Sequence, residues 1–280
     1  MIRLPIGDVV ETAVDWMTVN WAGFFGGIKL ILLWIITSFQ TLFNWIPFFI
    51  MIPLIAALAW FLAGRGTAIF SVVGLLVIVS IGLWEQTMAT LALVVTATLI
   101  ALVIGIPLGI WMSRSNTVNR IVRPILDFMQ TMPAFVYLIP AVYFFDLGMV
   151  PGAVATVIFA MPPAVRLTNL GIRQVPADVI EAARSFGCTG NQMLFKVQIP
   201  LAMSTILAGL NQTIMLSLSM VVISSMIGAE GLGIPVLQGI TQLKVGLGFE
   251  GGLAVVILAM VLDRITQGLG KSNSEKMNAK

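Results

Sequence analysis

Long apolar runs alternate with short polar connections along most of this chain. Seven of these runs, at about 46–63, 67–84, 86–112, 129–146, 150–170, 203–227 and 248–268, read as membrane-spanning helices. Several carry prolines, at Pro47, Pro53, Pro107, Pro133, Pro140, Pro162 and Pro163. Membrane helices tolerate these because neighbouring helices can satisfy the freed carbonyls. The tandem Pro162-Pro163 is expected to bend the fifth run.

The first 45 residues follow a different pattern. Asp8, Glu11, Asp15 and Thr18 recur at helical spacing, with Val9, Val10, Ala13, Val14, Trp16 and Met17 on the remaining surface. That is an amphipathic helix suited to a membrane interface. In 21–45 the apolar stretch from Leu30 to Ile36 is bounded by Lys29 on one side and by Thr37, Ser38 and Gln40 on the other. The uninterrupted part falls short of the roughly 20 residues a crossing needs. An interfacial helix is therefore expected here, anchored by Trp16, Trp21, Trp34 and Trp45. A span at 24–43 would change only the side on which the N-terminus lies. The chain thus divides into an N-terminal interfacial segment at 1–45, a membrane domain at 46–270 and a polar tail at 271–280, expected to be disordered.

Composition agrees with an all-α polytopic membrane protein: 59% of the 280 residues are hydrophobic and 10% charged, and mean hydropathy is +1.03. There is no histidine, which removes the usual general base and the commonest metal ligand. The single cysteine, Cys188, excludes an internal disulfide and a multi-cysteine metal site. No catalytic constellation, metal site, cofactor or nucleic-acid partner is expected. Gly246-Leu247-Gly248-Phe249-Glu250-Gly251 has the spacing of a dinucleotide fingerprint, but no strand precedes it. Gly270-Lys271-Ser272 ends like a phosphate-binding loop, yet Ile265 stands where its first glycine belongs.

The net charge of +3 is small, so its distribution matters more. With seven spans and the 175–200 connection in the cytoplasm, twelve of the fifteen Lys and Arg residues fall inside, and only Arg3, Lys29 and Lys244 outside. The opposite orientation reverses that ratio, against the positive-inside tendency. The connection and the C-terminus are accordingly expected in the cytoplasm.

Val175 to Pro200 is the longest connection with several charges. Asp178 and Glu181 suggest a capped start, Gly187 an end, and Thr189 with Gln192 a second capping box whose helix stops before Pro200. Two short helices about a glycine hinge suit a docking element. Glu181-Ala182-Ala183, then Gly187, then Val197, Ile199 and Pro200 resemble the EAA loop of ABC-importer permeases. The Glu, both Ala, the Gly and the Pro are identical to that pattern. The segments at 86–110, 123–145 and 220–233 extend the resemblance, over most of the chain, to the glycine betaine/proline betaine permeases.

The resemblance implies the transmembrane fold of a type I ABC importer. Its loop, with Glu181, Ala182, Ala183, Gly187 and Pro200, would couple to a separate ATPase. It also implies a homodimer, two ABC ATPase subunits, an extracytoplasmic substrate-binding protein and a plasma-membrane location among lipids. The translocated solute would be glycine betaine or a related osmoprotectant; another small quaternary amine or an amino acid is the alternative.

Within the sixth run Asn211, Gln212, Ser217, Ser219, Ser224 and Ser225 stand among Leu, Met and Val. Polar groups at membrane depth bond a neighbouring helix or face a watery path. Asn211, Gln212 and Ser217 are the candidates for a translocation path. Ala97, Ala101, Gly105 and Gly109 form a small-residue stripe read as close helix packing. Arg166 is read as an interfacial anchor, and Glu230 as a solvated loop residue. A secondary transporter is the competitor from another class; it calls for charged groups inside the spans.

Overall fold

The computed structural model describes residues 5–278, and they form helices and connecting turns with no strand among them. Helix α1 runs Ile6–Asn20, α2 Ala22–Trp45, α3 Phe48–Ala63, α4 Arg65–Ser80 and α5 Trp84–Arg114. Next come α6 Asn116–Thr131, a 3₁₀ turn Ala134–Tyr137, α7 Leu138–Phe145, α8 Met149–Arg173 and α9 Ala177–Ser185. A turn α10, Gly190–Gln192, passes through a π-helical segment Met193–Gln198 into α11, Ile199–Ser225. The short α12, Gly233–Thr241, and the long α13, Val245–Asn278, complete the chain.

Among the described residues, five helices are long and apolar enough to cross a membrane: α2, α5, α8, the continuous Gly190–Ser225 rod, and α13 over Val245–Gly270. The α6–α7 pair makes a sixth if its two limbs are one broken span. Three of the expectations about spans change.

First, residues 21–45 are not short of a crossing. Thr37 Oγ1 donates to Leu33 O at 2.7 Å and Ser38 Oγ to Trp34 O at 2.6 Å. Each hydroxyl is satisfied inside its own helix, so neither ends the apolar run. Lys29 is paired with Asp146 at 2.5 Å.

Second, the run at 129–146 is not one straight span, because the chain bends by 107° between Asn116–Thr131 and Ala134–Phe145. Met132 precedes Pro133 and is extended (φ −68, ψ 135), as a residue before proline prefers. Helix α6 must therefore end at Thr131.

Third, the runs at 46–63 and 67–84 form helices of only 16 residues each, folded against one another about Gly64. Gly64 turns the chain at φ +89, a conformation that favours glycine.

Pro162 and Pro163 lie within the single unbroken α8. The polar segment at 271–280, expected as a disordered tail, continues α13 to Asn278; Ala279 and Lys280 lie outside the described residues. Extending a helix already nucleated costs far less than starting one.

The bundle is organised by α8, which packs between α5 and α11. Small residues set the closeness. All four members of the Ala97–Gly109 stripe are buried, and a Cβ at Gly109 would lie 2.6 Å from Val165 O. A Cβ at Gly209, on α11, would lie 3.1 Å from Leu167 Cβ. The largest apolar cluster joins α3, α4, α5, α11 and α13 through Met51, Leu75, Met88, Leu218 and Leu258. Helix α2 covers the other side, with Leu32 beside Val150 and Ile36 beside Leu93 and Ala153.

Candidate functional site

Two features stand out: the loop between α8 and α11, and a cavity between α11 and α13.

The loop leaves α8 at a polar knot. Arg173 donates to Asn169 Oδ1 at 2.9 Å, Asn116 Oδ1 at 3.0 Å and Met112 O at 2.8 Å. Its guanidinium thus closes the C-terminal end of α5, where free carbonyls and the helix dipole favour a cation. Asn169 also donates to Asn119 Oδ1 at 3.1 Å, and Arg166 meets Asp127 at 2.6 Å. Helix α6 is strapped to α8 along its polar face; Arg166, expected as an anchor, has a partner there.

Helix α9 has Pro176 as its N-cap, without a side-chain cap bond. The expected Asp178–Glu181 capping box is therefore absent. Proline's fixed φ starts the helix at Ala177, so Asp178 sits inside the first turn and acts only on the helix dipole. The second box is present: Gln192 N donates to Thr189 Oγ1 at 3.4 Å, and Thr189 N to Gln192 Oε1 at 2.9 Å. Between them Gly187 adopts φ +78.

The helix after that box does not stop before Pro200. It widens into π geometry over Met193–Gln198 and carries Pro200 into the first turn of α11. Proline gives no N–H to the preceding turn, and the wider π turn relieves the ring's clash with the preceding carbonyls.

No residue of α9 is buried. Glu181 and Ala182 are exposed, Ala183 half-buried, and Phe186 is 89% exposed. Behind this surface Met193 and Leu194 are buried, the latter against Ile172, Ala202 and Ile206. The result is an unpartnered helix on a fixed base.

The cavity has a volume of about 560 Å³ and is lined by Leu207, Asn211, Gln212, Met215, Thr266 and Gln267, among others. Asn211 Nδ2 donates to Asp263 Oδ1 at 2.8 Å, while Asn211 Oδ1 accepts from Thr266 Oγ1 at 2.5 Å. Gln267 Nε2 donates to both Asp263 oxygens, at 2.9 and 2.8 Å.

Of the three path candidates, the structure brings Asn211 and Gln212 to this cavity and Ser217 elsewhere. Ser217 is 1% exposed, donates to Thr213 O at 2.9 Å and accepts from Thr98 Oγ1 at 3.4 Å, a contact between α11 and α5. Asp263 was missed by sequence reasoning. It lies within an expected span, and an acidic residue in such a run was the available signal. Gly246–Gly251 lies in the first turns of α13, so the dinucleotide spacing has no strand before it here either. Glu230 accepts from Gln40 Nε2 at 2.9 Å.

The described residues thus form an all-α membrane bundle with an exposed helix slung between two spans. In fold, the chain is similar to the inward-facing MetNI methionine ABC transporter: TM-score 0.61 at 21% identity, covering 66% of this chain and 92% of that one. Residues 101–275 match the model of the binding-protein-dependent transport system inner membrane component. The chain belongs to that family.

Its relatives include the glycine betaine transport system permease protein OpuAB of Bacillus subtilis, 53% identical over 99% of this chain and 98% of that one. The glycine betaine/proline betaine permease ProW of Escherichia coli is 51% identical over 98% of this chain and 78% of its own length. The glycine betaine/carnitine permease GbuB of Listeria monocytogenes is 53% identical over 96% of each.

Proposed function

We propose that this chain is the translocating subunit of an ATP-driven importer of glycine betaine or a closely related osmoprotectant. The observation that carries this reading is α9, a helix with no buried residue held on a buried base. Such a surface is suited to receive force from a partner. The names of the relatives, all of them permeases, point to the solute.

In this reading Glu181, Ala182, Ala183 and Gly187 dock on a cytoplasmic ATPase, and Pro200 marks where the loop rejoins a membrane helix. Two copies of the chain, two ATPase subunits and an extracytoplasmic binding protein make the working unit, embedded in plasma-membrane lipid. Closure of the ATPase dimer draws the two α9 helices together and rocks the rods behind them. Hydrolysis belongs to the ATPase. Asn211 and Gln212, rather than Ser217, serve the path.

The test is uptake of labelled glycine betaine in cells lacking their own osmoprotectant importers. These cells carry the chain with its ATPase and binding protein, and uptake should rise well above an empty-vector control. Uptake at control level contradicts the reading. Asp263 favours a second reading, a stand-alone secondary transporter, since an ionisable residue in a span often marks an ion path. Uptake that survives inactivation of the ATPase decides for it.

A further inference from the structure

We propose that the cavity between α11 and α13 is a station for a quaternary-ammonium head group, held by the charge of Asp263. The assignment rests on the importer reading for its solute, while its geometry stands on the side chains alone.

Asp263 is half-buried in a membrane helix, and among the described residues the ion pairs are Lys29–Asp146 and Arg166–Asp127. Its hydrogen-bond donors are two neutral amides, those of Asn211 and Gln267. Neutral donors orient a carboxylate without cancelling its charge. Both amides belong to the cavity wall, so the negative charge lies one hydrogen bond behind that wall.

The position of Asp263 selects the kind of cation. The carboxylate is not part of the cavity wall, so a cation in the cavity meets its field and not its oxygens. A tetraalkylammonium needs no direct ligand. It has no N–H to donate, its charge is spread beneath methyl groups, and it binds through the field of an anion and apolar contact. Met215, Leu207 and Ala208 supply the apolar part of the wall. Gln212 stands beside them, exposed, with no hydrogen bond from its amide among the described residues. A volume of about 560 Å³ lies within the range of small-molecule sites.

Asp263 is here a positioning residue as well as a source of charge, because it fixes the Asn211 amide that Thr266 holds from the other side. A purely structural role predicts that any isosteric replacement keeping the hydrogen bonds is silent toward ligands. The proposed role predicts that loss of the charge weakens cation binding even where the hydrogen bonds are kept.

The experiment uses the purified complex with its ATPase in detergent and follows thermal unfolding with three additives: choline chloride, sodium chloride, and 3,3-dimethylbutan-1-ol, the neutral isostere of choline. The native complex should be stabilised by choline and not by the other two. Asp263→Asn should weaken that response about tenfold in concentration, the equivalent of about 1.4 kcal/mol. Because Asp263→Asn also disturbs the amide bonds, the second variant is Asp263→Asn with Gln267→Glu. It restores the charge one turn away and should recover the response. An unchanged response in Asp263→Asn, a double variant that recovers nothing, or equal stabilisation by the neutral isostere overturns the proposal. None of these readouts needs transport, so failure of betaine uptake in cells would strike the importer reading separately.

Discussion

Arg114, the last residue of α5, donates from Nη1 to Oδ1 of Asn191 at 3.2 Å. That bond fastens the second half of the α8–α11 loop to a helix 77 residues earlier in the chain. Arg173 fastens the first half to the same end of α5, through Met112 O. The exposed α9 is therefore tied to α5 at both of its flanks. Arg114→Ala and Asn191→Ala should each lower uptake several-fold with normal amounts of protein in the membrane. The double variant should be no worse than either single one, since both remove one contact. Strictly additive losses in an uptake assay would show that the bond transmits nothing.

The α9 surface itself should be intolerant of change while the fold is not. Glu181→Ala removes an exposed carboxylate with no packing role. A Cβ at Gly187 would meet no atom within 4 Å, so the backbone cost of Gly187→Trp is that of the positive φ, about 1–2 kcal/mol. Both variants should insert normally and fail to couple ATP hydrolysis to uptake. Normal uptake in both removes the docking role.

Close packing predicts the opposite outcome elsewhere. A Cβ at Gly109 would stand 2.6 Å from Val165 O and 2.7 Å from Thr168 Cβ. Gly109→Leu should destabilise the bundle by about 1–3 kcal/mol or more, as overpacking does. Gly246→Leu, where a Cβ meets nothing within 4 Å, is the control and should be near neutral. Thermal unfolding of the purified variants measures the difference.

Orientation is open to direct labelling. In a Cys188→Ser background, Leu243→Cys should react with a membrane-impermeant maleimide in intact cells. Leu243 is 85% exposed in the turn between α12 and α13. Lys276→Cys should react only after the membrane is breached. Labelling of the second site from outside inverts the topology.

Much of this architecture was legible in the apolar periodicity, because long apolar helices and small-residue stripes are local signals. Gly105 and Gly109 are where close approach needs them, against Ala164 and Val165. The Thr189–Gln192 box and the turn at Gly187 were equally local and formed as expected. What escaped was non-local. Thr37 and Ser38 read as breaks in sequence, yet their hydroxyls bond within α2, and Lys29 pairs with Asp146, 117 residues away. Asn211 stood out by type, but its partner Asp263 lies 52 residues on, and no periodicity links the two. Ser217 looked like Asn211 in sequence and is separated from it only by which neighbour each side chain meets.

The π segment at Met193–Gln198 has a consequence for how this chain can change length. A π turn holds one residue more than an α turn, so it absorbs a single insertion that a regular helix would pass on as a rotation of about 100°. Losing one residue there would restore α geometry and leave α11 in its present rotation relative to the loop. A deletion further along, between the π segment and Asn211, has no such reserve and would bring Gln212 to the place Asn211 now holds opposite Asp263. The bundle's contacts downstream are thus buffered against one lost residue at the loop and exposed to any lost beyond it.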